Sequence, residues 1–105
     1  MKVTAEKIEV LTIKDADRLD PITVIVQQGR ERSGRLIIEC WGLSWATYFG
    51  SLPEGMSLGR FVVNADADYI ANRLQRPNDR KHDAAYLRNI VTAVQAALSE
   101  RVQAS

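Results

Sequence analysis

The first 41 residues contain three stretches whose patterns of apolar and polar positions are typical of β-strands. In residues 7–14, Ile8 and Val10 share one side of a period of two, and residues 22–27 are β-branched at nearly every position. Residues 35–41 form a third apolar stretch after a charged segment closed by glycines, which predicts the loop of a hairpin. Because the connections are short, the three stretches predict an antiparallel meander.

The aromatic segment that follows predicts a further strand. Residues 42–50 are bracketed by glycines, and Trp45, Thr47 and Phe49 alternate along them. The alternation favours a strand with a bulge, while a short turn of helix is the alternative. The predicted sheet therefore has three or four strands.

The second half of the chain predicts helices. Ser57 is a suitable N-cap for residues 58–63, which form either a short helix or an extended link, and Asp66 can cap a helix over residues 67–75. From Asp83 onward, apolar residues recur at intervals of three and four, which predicts an amphipathic helix of about five turns. The positions of this stripe are Tyr86, Leu87, Ile90, Val91, Val94, Leu98 and Val102.

Strands first and helices afterwards is the order of an α+β fold. We predict a small antiparallel sheet of three or four strands packed against two or three helices, the last of them long and amphipathic. A chain of 105 residues suits one hydrophobic core, and neither a repeat nor a low-complexity linker divides it. Residues 1–105 are therefore predicted to form a single domain.

Composition and charge narrow the classes of protein without selecting one. With 46% hydrophobic and 26% charged residues, the chain has the composition of a globular protein, and no apolar run is long enough to span a membrane. A net charge of +1 is neither that of a strongly basic nucleic-acid binder nor that of an acidic DNA mimic. The N-terminal residues lack the apolar core of a signal peptide, so a cytoplasmic location is expected.

The candidate catalytic groups are few. Cys40 and His82 could form a thiolate–imidazole pair, but Cys40 lies on an apolar strand face, where a small buried thiol is inert. Asp66 and Asp68 could act as an acid/base pair, although their position at a helix start favours capping. The sequence has no complete metal-ligand spacing, phosphate-binding loop or dinucleotide motif. We therefore expect no catalytic, cofactor-binding or metal-binding residues.

Basic residues form two clusters near segments rich in turn formers. The first surrounds the predicted hairpin loop, and the second brackets the junction of the last two helices. Such segments are usually exposed, and arginine suits interfaces because its planar fork makes several hydrogen bonds at once. The competing interpretation is that these are solvated loop charges. The predicted partner-binding residues are Arg30, Arg32, Arg76, Arg80 and Lys81.

The aromatic segment also carries a resemblance to a known group of proteins. It follows a Gly-x-x-Trp-x-x-Tyr-Trp-Gly-like pattern, with phenylalanine in place of the second tryptophan. The matching residues are Gly42, Trp45, Tyr48, Phe49 and Gly50, followed by Phe61-Val62-Val63 and residues 69–74. Over residues 36–98 the chain resembles a group of small, largely uncharacterised proteins encoded by tailed bacteriophages and prophages. The resemblance implies an accessory protein in the cytoplasm of an infected bacterium, and it supplies no catalytic motif.

Three functional hypotheses remain open. The first is a non-enzymatic protein that binds a host or phage protein or other macromolecule, with counter-defence as one such role. The second is a nucleic-acid-binding module in which aromatic residues stack on bases beside arginines. The third is a small enzyme that uses Cys40 or the Asp66 and Asp68 pair. A small sheet also leaves edges that need cover or pairing, which allows a homodimer.

Overall fold

In the residues that the structure describes, a four-stranded antiparallel sheet is followed by three helices, which confirms the predicted α+β class and the meander order. The computed structural model describes residues 1–3, 8–16, 18–77, 79 and 81–104, and of 81, 82 and 102–104 only the backbone. The strands are β1 (Ile8–Ile13), β2 (Ile22–Gln28), β3 (Gly34–Cys40) and β4 (Leu43–Phe49). The helices are α1 (Leu58–Asn64), α2 (Ala67–Leu74) and α3 (Lys81–Ala104).

The turn between β3 and β4 corrects the sequence interpretation in two places. β3 ends at Cys40, one residue earlier than predicted, and Trp41 with Gly42 forms a two-residue turn. Both turn residues have positive φ values, 55° and 72°, as a type I′ hairpin requires. β4 pairs residue for residue with β3 along its whole length, so this strand lacks the predicted bulge.

Side-chain caps begin α1 and α2 as predicted. The hydroxyl of Ser57 accepts a hydrogen bond from the backbone N–H of Arg60 (3.2 Å), and the carboxylate of Asp66 accepts one from the N–H of Asp68 (2.8 Å). Each cap satisfies one of the backbone donors that have no partner within the first turn of a helix. Residues 58–63 are therefore helical rather than an extended link.

The hydrophobic core lies between one face of the sheet and the helices. The central strands β2 and β3 contribute fully buried aliphatic side chains, and β4 adds Trp45 and Phe49, which are 2% and 4% exposed. The apolar stripe of α3 packs into this core, as its spacing predicts. The buried residues of the stripe are Leu87, Ile90, Val91, Val94 and Leu98. The described core thus lies on one side of the sheet.

The start of α1 approaches the β2–β3 hairpin closely. The backbone N–H of Leu58 donates to the side-chain oxygen of Gln28 (2.8 Å). Leu58 also packs on Gly34, where a Cβ atom would lie 2.8 Å from the leucine side chain. A side chain at position 34 would therefore crowd the side chain of Leu58 and the carbonyl of Gln27. These contacts fix the hairpin relative to the helices.

Candidate partner-binding surface

The face of the sheet opposite the core is exposed, and its side chains form three rows that cross the strands. The pairing register puts Val10, Ile25, Ile37 and Ala46 in the middle row, which is apolar throughout and lies outside the described core. The row nearer the β2–β3 hairpin holds Ile8, Gln27, Arg35 and Tyr48. The row nearer the β3–β4 turn holds Thr12, Thr23, Glu39 and Ser44. We name the residues of these three rows the open face.

Large apolar side chains of the open face reach solvent. Ile8, Val10 and Tyr48 are 55%, 53% and 54% exposed. Single exposed apolar residues are common on proteins, whereas a contiguous apolar row is typical of interaction sites. Sequence reasoning missed this surface. Its signal lay in β2 and β3, where apolar residues occupy both sides of the strand although helices cover only one side.

The β2–β3 hairpin positions the first pair of predicted arginines. Its loop closes through hydrogen bonds from the Gly29 N–H to the Ser33 carbonyl (2.8 Å) and from the Ser33 hydroxyl to the Arg30 carbonyl (2.5 Å). Both arginines are exposed, but Nε of Arg32 donates to the carbonyl of Leu52 (2.7 Å), and the Leu52 N–H donates back to the Arg32 carbonyl (2.8 Å). Arg32 therefore fastens the hairpin to the segment before α1, which leaves Arg30 as the freer side chain.

A groove of about 460 Å³ lies beside the hairpin at one corner of the open face. Two arginines and an exposed aromatic ring meet there with small and polar residues. The lining residues are Arg30, Arg35, Tyr48, Gln27, Gly29, Ser33 and Gly34. Such a set suits a partner that presents an anionic group next to a flat apolar one. We name this site the hairpin groove.

The second predicted cluster, at the α2–α3 junction, is described only in part. Nε of Arg76 donates to the carboxylate of Asp79 (3.1 Å), and the Arg76 guanidinium lies 5.5 Å from the centre of the Trp45 ring. Arg76 thus covers the core from the helical side of the sheet, with 45% of its side chain exposed. Arg80 lies outside the described residues. Lys81 begins α3, and only its backbone is described.

The carboxylate of Asp79 interacts both with Arg76 at this junction and with the Trp45 indole of the core. It accepts a hydrogen bond from the backbone N–H of Arg76 (2.8 Å), which is the main cause that holds the pKa of Asp79 below its usual 3.8. Burial opposes this shift, while the Arg76 side chain and the Trp45 indole reinforce it. A carboxyl group whose pKa is lowered by folding stabilises the folded state above about pH 4, and the contribution is lost as the pH falls through the folded-state pKa.

Asp79→Asn is expected to lower the melting temperature at neutral pH, and its difference from wild type should shrink as the pH falls below about 4. Thermal melts from neutral to acidic pH test this expectation. Glu54→Gln is the control, because it removes an exposed carboxylate elsewhere. A difference that stays constant into the acid range would contradict the role of the ionised carboxylate.

Cys40 is buried on the core side of the sheet, as predicted. Its Sγ lies 3.6 Å from the carbonyl oxygen of Asp20 and 3.3 Å from the hydroxyl of Tyr86. The hydrogen bond with the thiol, with burial, raises the pKa of Tyr86 to about 12, so the phenol is protonated at neutral pH. The neighbour of Cys40 is therefore a neutral hydrogen-bonding group. The side chain of His82, its hypothetical catalytic partner, lies outside the description.

Asp66 and Asp68 have separate structural partners. Asp66 caps α2, whereas Asp68 forms an ion pair with Arg88 of α3. These contacts stabilise the start of α2 and its packing on α3. Among the described residues, no three His, Cys, Asp or Glu side chains lie together as metal ligands would.

A wider groove of about 720 Å³ runs between the β1–β2 loop and α3. Ile13 and Leu19 line one wall, and alanines of α3 with the ring of Tyr86 line the other. These walls consist mostly of small and apolar side chains, and their polar members are Arg18, Asn89, Thr92 and Glu100. They lack the two arginines beside an exposed aromatic ring that line the hairpin groove. The hairpin groove is therefore the better candidate for recognition.

Comparison with known proteins adds the biological setting. A family model described as a phage family matches residues 1–83, which include the sheet, α1 and α2. The chain belongs to this phage family. The phage association that the sequence resemblance implied is thereby confirmed. No curated protein and no solved structure matches the chain.

In this phage protein some side chains of the aromatic segment lie in the core and others lie on the surface. Trp45 and Phe49 are buried, whereas Tyr48 lies on the open face and Trp41, in the turn, is 74% exposed. Gly50 leaves room for the ring of Tyr48, which lies 3.2 Å from where a Cβ atom would be. The division follows from the alternation of side chains along a strand. In the described part of this phage protein, no helix is long and apolar enough to cross a lipid bilayer.

Proposed function

We propose that this phage protein is a non-enzymatic accessory protein that binds a macromolecule of the phage or of its bacterial host in the cytoplasm of the infected cell. One such role is counter-defence, in which the partner is a protein of a host defence system. The proposal rests on one observation, the hairpin groove, where Arg30 and Arg35 line the same site as the exposed ring of Tyr48.

The chemistry of the hairpin groove suits a protein partner. Arginine and tyrosine are enriched among the residues that carry binding energy at interfaces, because each combines a flat surface with hydrogen-bonding atoms at its end. Arg30 lies on a loop that internal hydrogen bonds hold in place, so little backbone freedom is lost when a partner binds.

The predicted partner-binding residues contribute unequally to this proposal. Arg30 is central, whereas Arg32 and Arg76 make hydrogen bonds inside the protein. Reversing either of those two charges would disturb the fold as well as the surface, so such variants would not separate the two roles. Arg80 and Lys81 form an independent site for testing.

Arg30→Glu is expected to abolish recovery of the partner when the tagged protein captures it from a lysate of infected host cells. The reversal replaces an attraction with a repulsion in the groove. It should leave the fold intact, since an exposed loop charge is normally worth under about 0.5 kcal/mol. Arg60→Glu, which reverses an exposed charge on α1, is the matched control. A variant with both Arg80→Glu and Lys81→Glu tests the helix junction in the same way.

Bound proteins and nucleic acids are identified together in this experiment. Partners recovered by wild type and Arg60→Glu but lost with Arg30→Glu would support the hairpin groove as the binding site. If Arg30→Glu and the Arg80 and Lys81 double variant both recover the same partners in undiminished yield, the proposed surface is wrong.

Nucleic-acid binding is a second candidate function, which the same groove favours because the Tyr48 ring can stack on a base beside two cations. The weak positive field counts against it, since the net charge is +1, Glu31 lies in the hairpin loop and Glu39 lies on the open face. Oligonucleotide binding that weakens steeply with salt and is lost in Arg30→Glu, with no protein partner affected, would favour this second function.

A further inference from the structure

The two charged residues of the open face lie symmetrically about its apolar row. Arg35 and Glu39 both belong to β3, two positions on either side of Ile37, which is part of that row. Both are exposed, and neither forms an ion pair with another described residue. Along β3 the order is therefore cation, apolar row and anion. When this surface is rotated by 180° onto a copy of itself, the cation of each copy meets the anion of the other.

We infer that the open face binds the open face of a second copy of this chain. A two-fold axis along the apolar row lays this row on itself and brings Arg35 of each copy over Glu39 of the other. Face-to-face sheets pack about 10 Å apart, a gap that side chains such as Ile25 and Ile37 from both copies fill. The contact is isologous, with both copies using the same surface, and it therefore closes as a dimer.

The charges favour this occupant over other ligand classes. A nucleic acid or an anionic lipid surface would meet Glu39 as a repulsive group. In the dimer, Arg35 and Glu39 each gain an opposite charge beside the apolar row. Charged pairs in such positions fix the register and orientation of two partners.

The open face is small for a protein–protein interface. Strands about 4.8 Å apart and rows about 7 Å apart give a patch of roughly 20 by 20 Å. Such a patch is small beside the ~800 Å² that each partner buries in a standard interface. We therefore expect a weak, reversible dimer.

The dimer contact and the hairpin groove can be tested separately. Arg35 and Tyr48 belong to both surfaces, but Arg30 lies outside the open face and Glu39 lies outside the groove. Arg30→Glu should therefore leave self-association unchanged. The inference stands whether or not the groove binds a macromolecular partner.

Sedimentation velocity over a concentration series that brackets about 100 µM tests the dimer. Arg35→Glu and Glu39→Arg each place like charges at both symmetry-related contacts, so each is expected to weaken association at least ~10-fold. An equimolar mixture of these two variants should dimerise again, because one chain then presents only acidic groups and the other only basic ones. The double reversal in a single chain should dimerise like wild type, and Arg60→Glu is the matched control.

Two results would overturn the inference. One is a wild-type protein that stays monomeric across the whole series. The other is a dimer that both single reversals leave intact, as pairing through the edge of β1 or β4 would give. Melting curves for every variant, and the recovery of association in the mixture and in the double reversal, distinguish a lost contact from a lost fold.

Discussion

Ending the chain at Asn89 is expected to leave an unfolded polypeptide. The cut removes Ile90, Val91, Val94 and Leu98, which are at most 3% exposed in the folded protein. Burying each such side chain is worth about 1.5–3 kcal/mol, so the loss rivals the whole stability of a small domain, about 5–15 kcal/mol. The sheet does not compensate, because its core face would then meet water in place of α3.

Circular dichroism and thermal melting of this fragment test the prediction. A truncation that removes only residues 104–105 is the control and should melt like wild type, because it ends well beyond Leu98, the last buried residue of the described core. The comparison is informative because the family match ends at residue 83, before most of α3. A cooperative transition in the fragment that ends at Asn89 would mean that the sheet, α1 and α2 are sufficient for folding.

The sequence predicted those elements whose own residues determine them. The β-branched run of β2 favours a strand at almost every position, and the apolar spacing of α3 fits only a helix. Ser57 and Asp66 mark helix starts because their side chains accept hydrogen bonds from the first turn, and the structure confirms both caps. In each case the deciding interaction lies within a few residues along the chain.

The local sequence did not decide whether residues 58–63 form a helix or an extended link, because contacts with a distant part of the chain decide it. Gly59 and the β-branched Val62 and Val63 disfavour a helix on their own. The side chain of Gln95 in α3 donates to the carbonyls of Val62 (3.0 Å) and Ala65 (2.7 Å), which satisfies acceptors at the end of the helix. Since these partners lie at least 30 positions apart in the chain, packing decides the conformation.

The candidate surface was predictable only in part. Clustering along the sequence identified Arg30, but it did not distinguish this residue from Arg32, whose acceptor on Leu52 lies 20 residues away. The open face depends on strand register, because Val10 and Ile37 fall into one row only when the pairing of β1, β2 and β3 is known. Residue composition therefore indicated the chemistry of the surface, while its geometry required the fold.

Trp45→Ala is expected to lower the free energy of unfolding by about 3–5 kcal/mol, because the core then contains a cavity the size of an indole ring. The side chain is 2% exposed, and the guanidinium of Arg76 lies 5.5 Å from the centre of its ring. β4 is held by continuous pairing with β3, so the strand cannot move inward to fill the space. The indole also helps to lower the pKa of Asp79, and that contribution is lost with it.

Urea unfolding followed by circular dichroism measures this effect, and the chain offers a matched control in its other tryptophan. Trp41 is 74% exposed, so Trp41→Ala should change the free energy of unfolding by no more than about 0.5 kcal/mol. Trp45→Phe should cost less than Trp45→Ala, since it keeps a ring in the core. It also removes the indole N–H, which lies near the Asp79 carboxylate but has no acceptor at full hydrogen-bonding geometry among the described residues. If Trp45→Ala unfolds at the same urea concentration as wild type, Trp45 is not part of the core, and its indole becomes a candidate for partner binding.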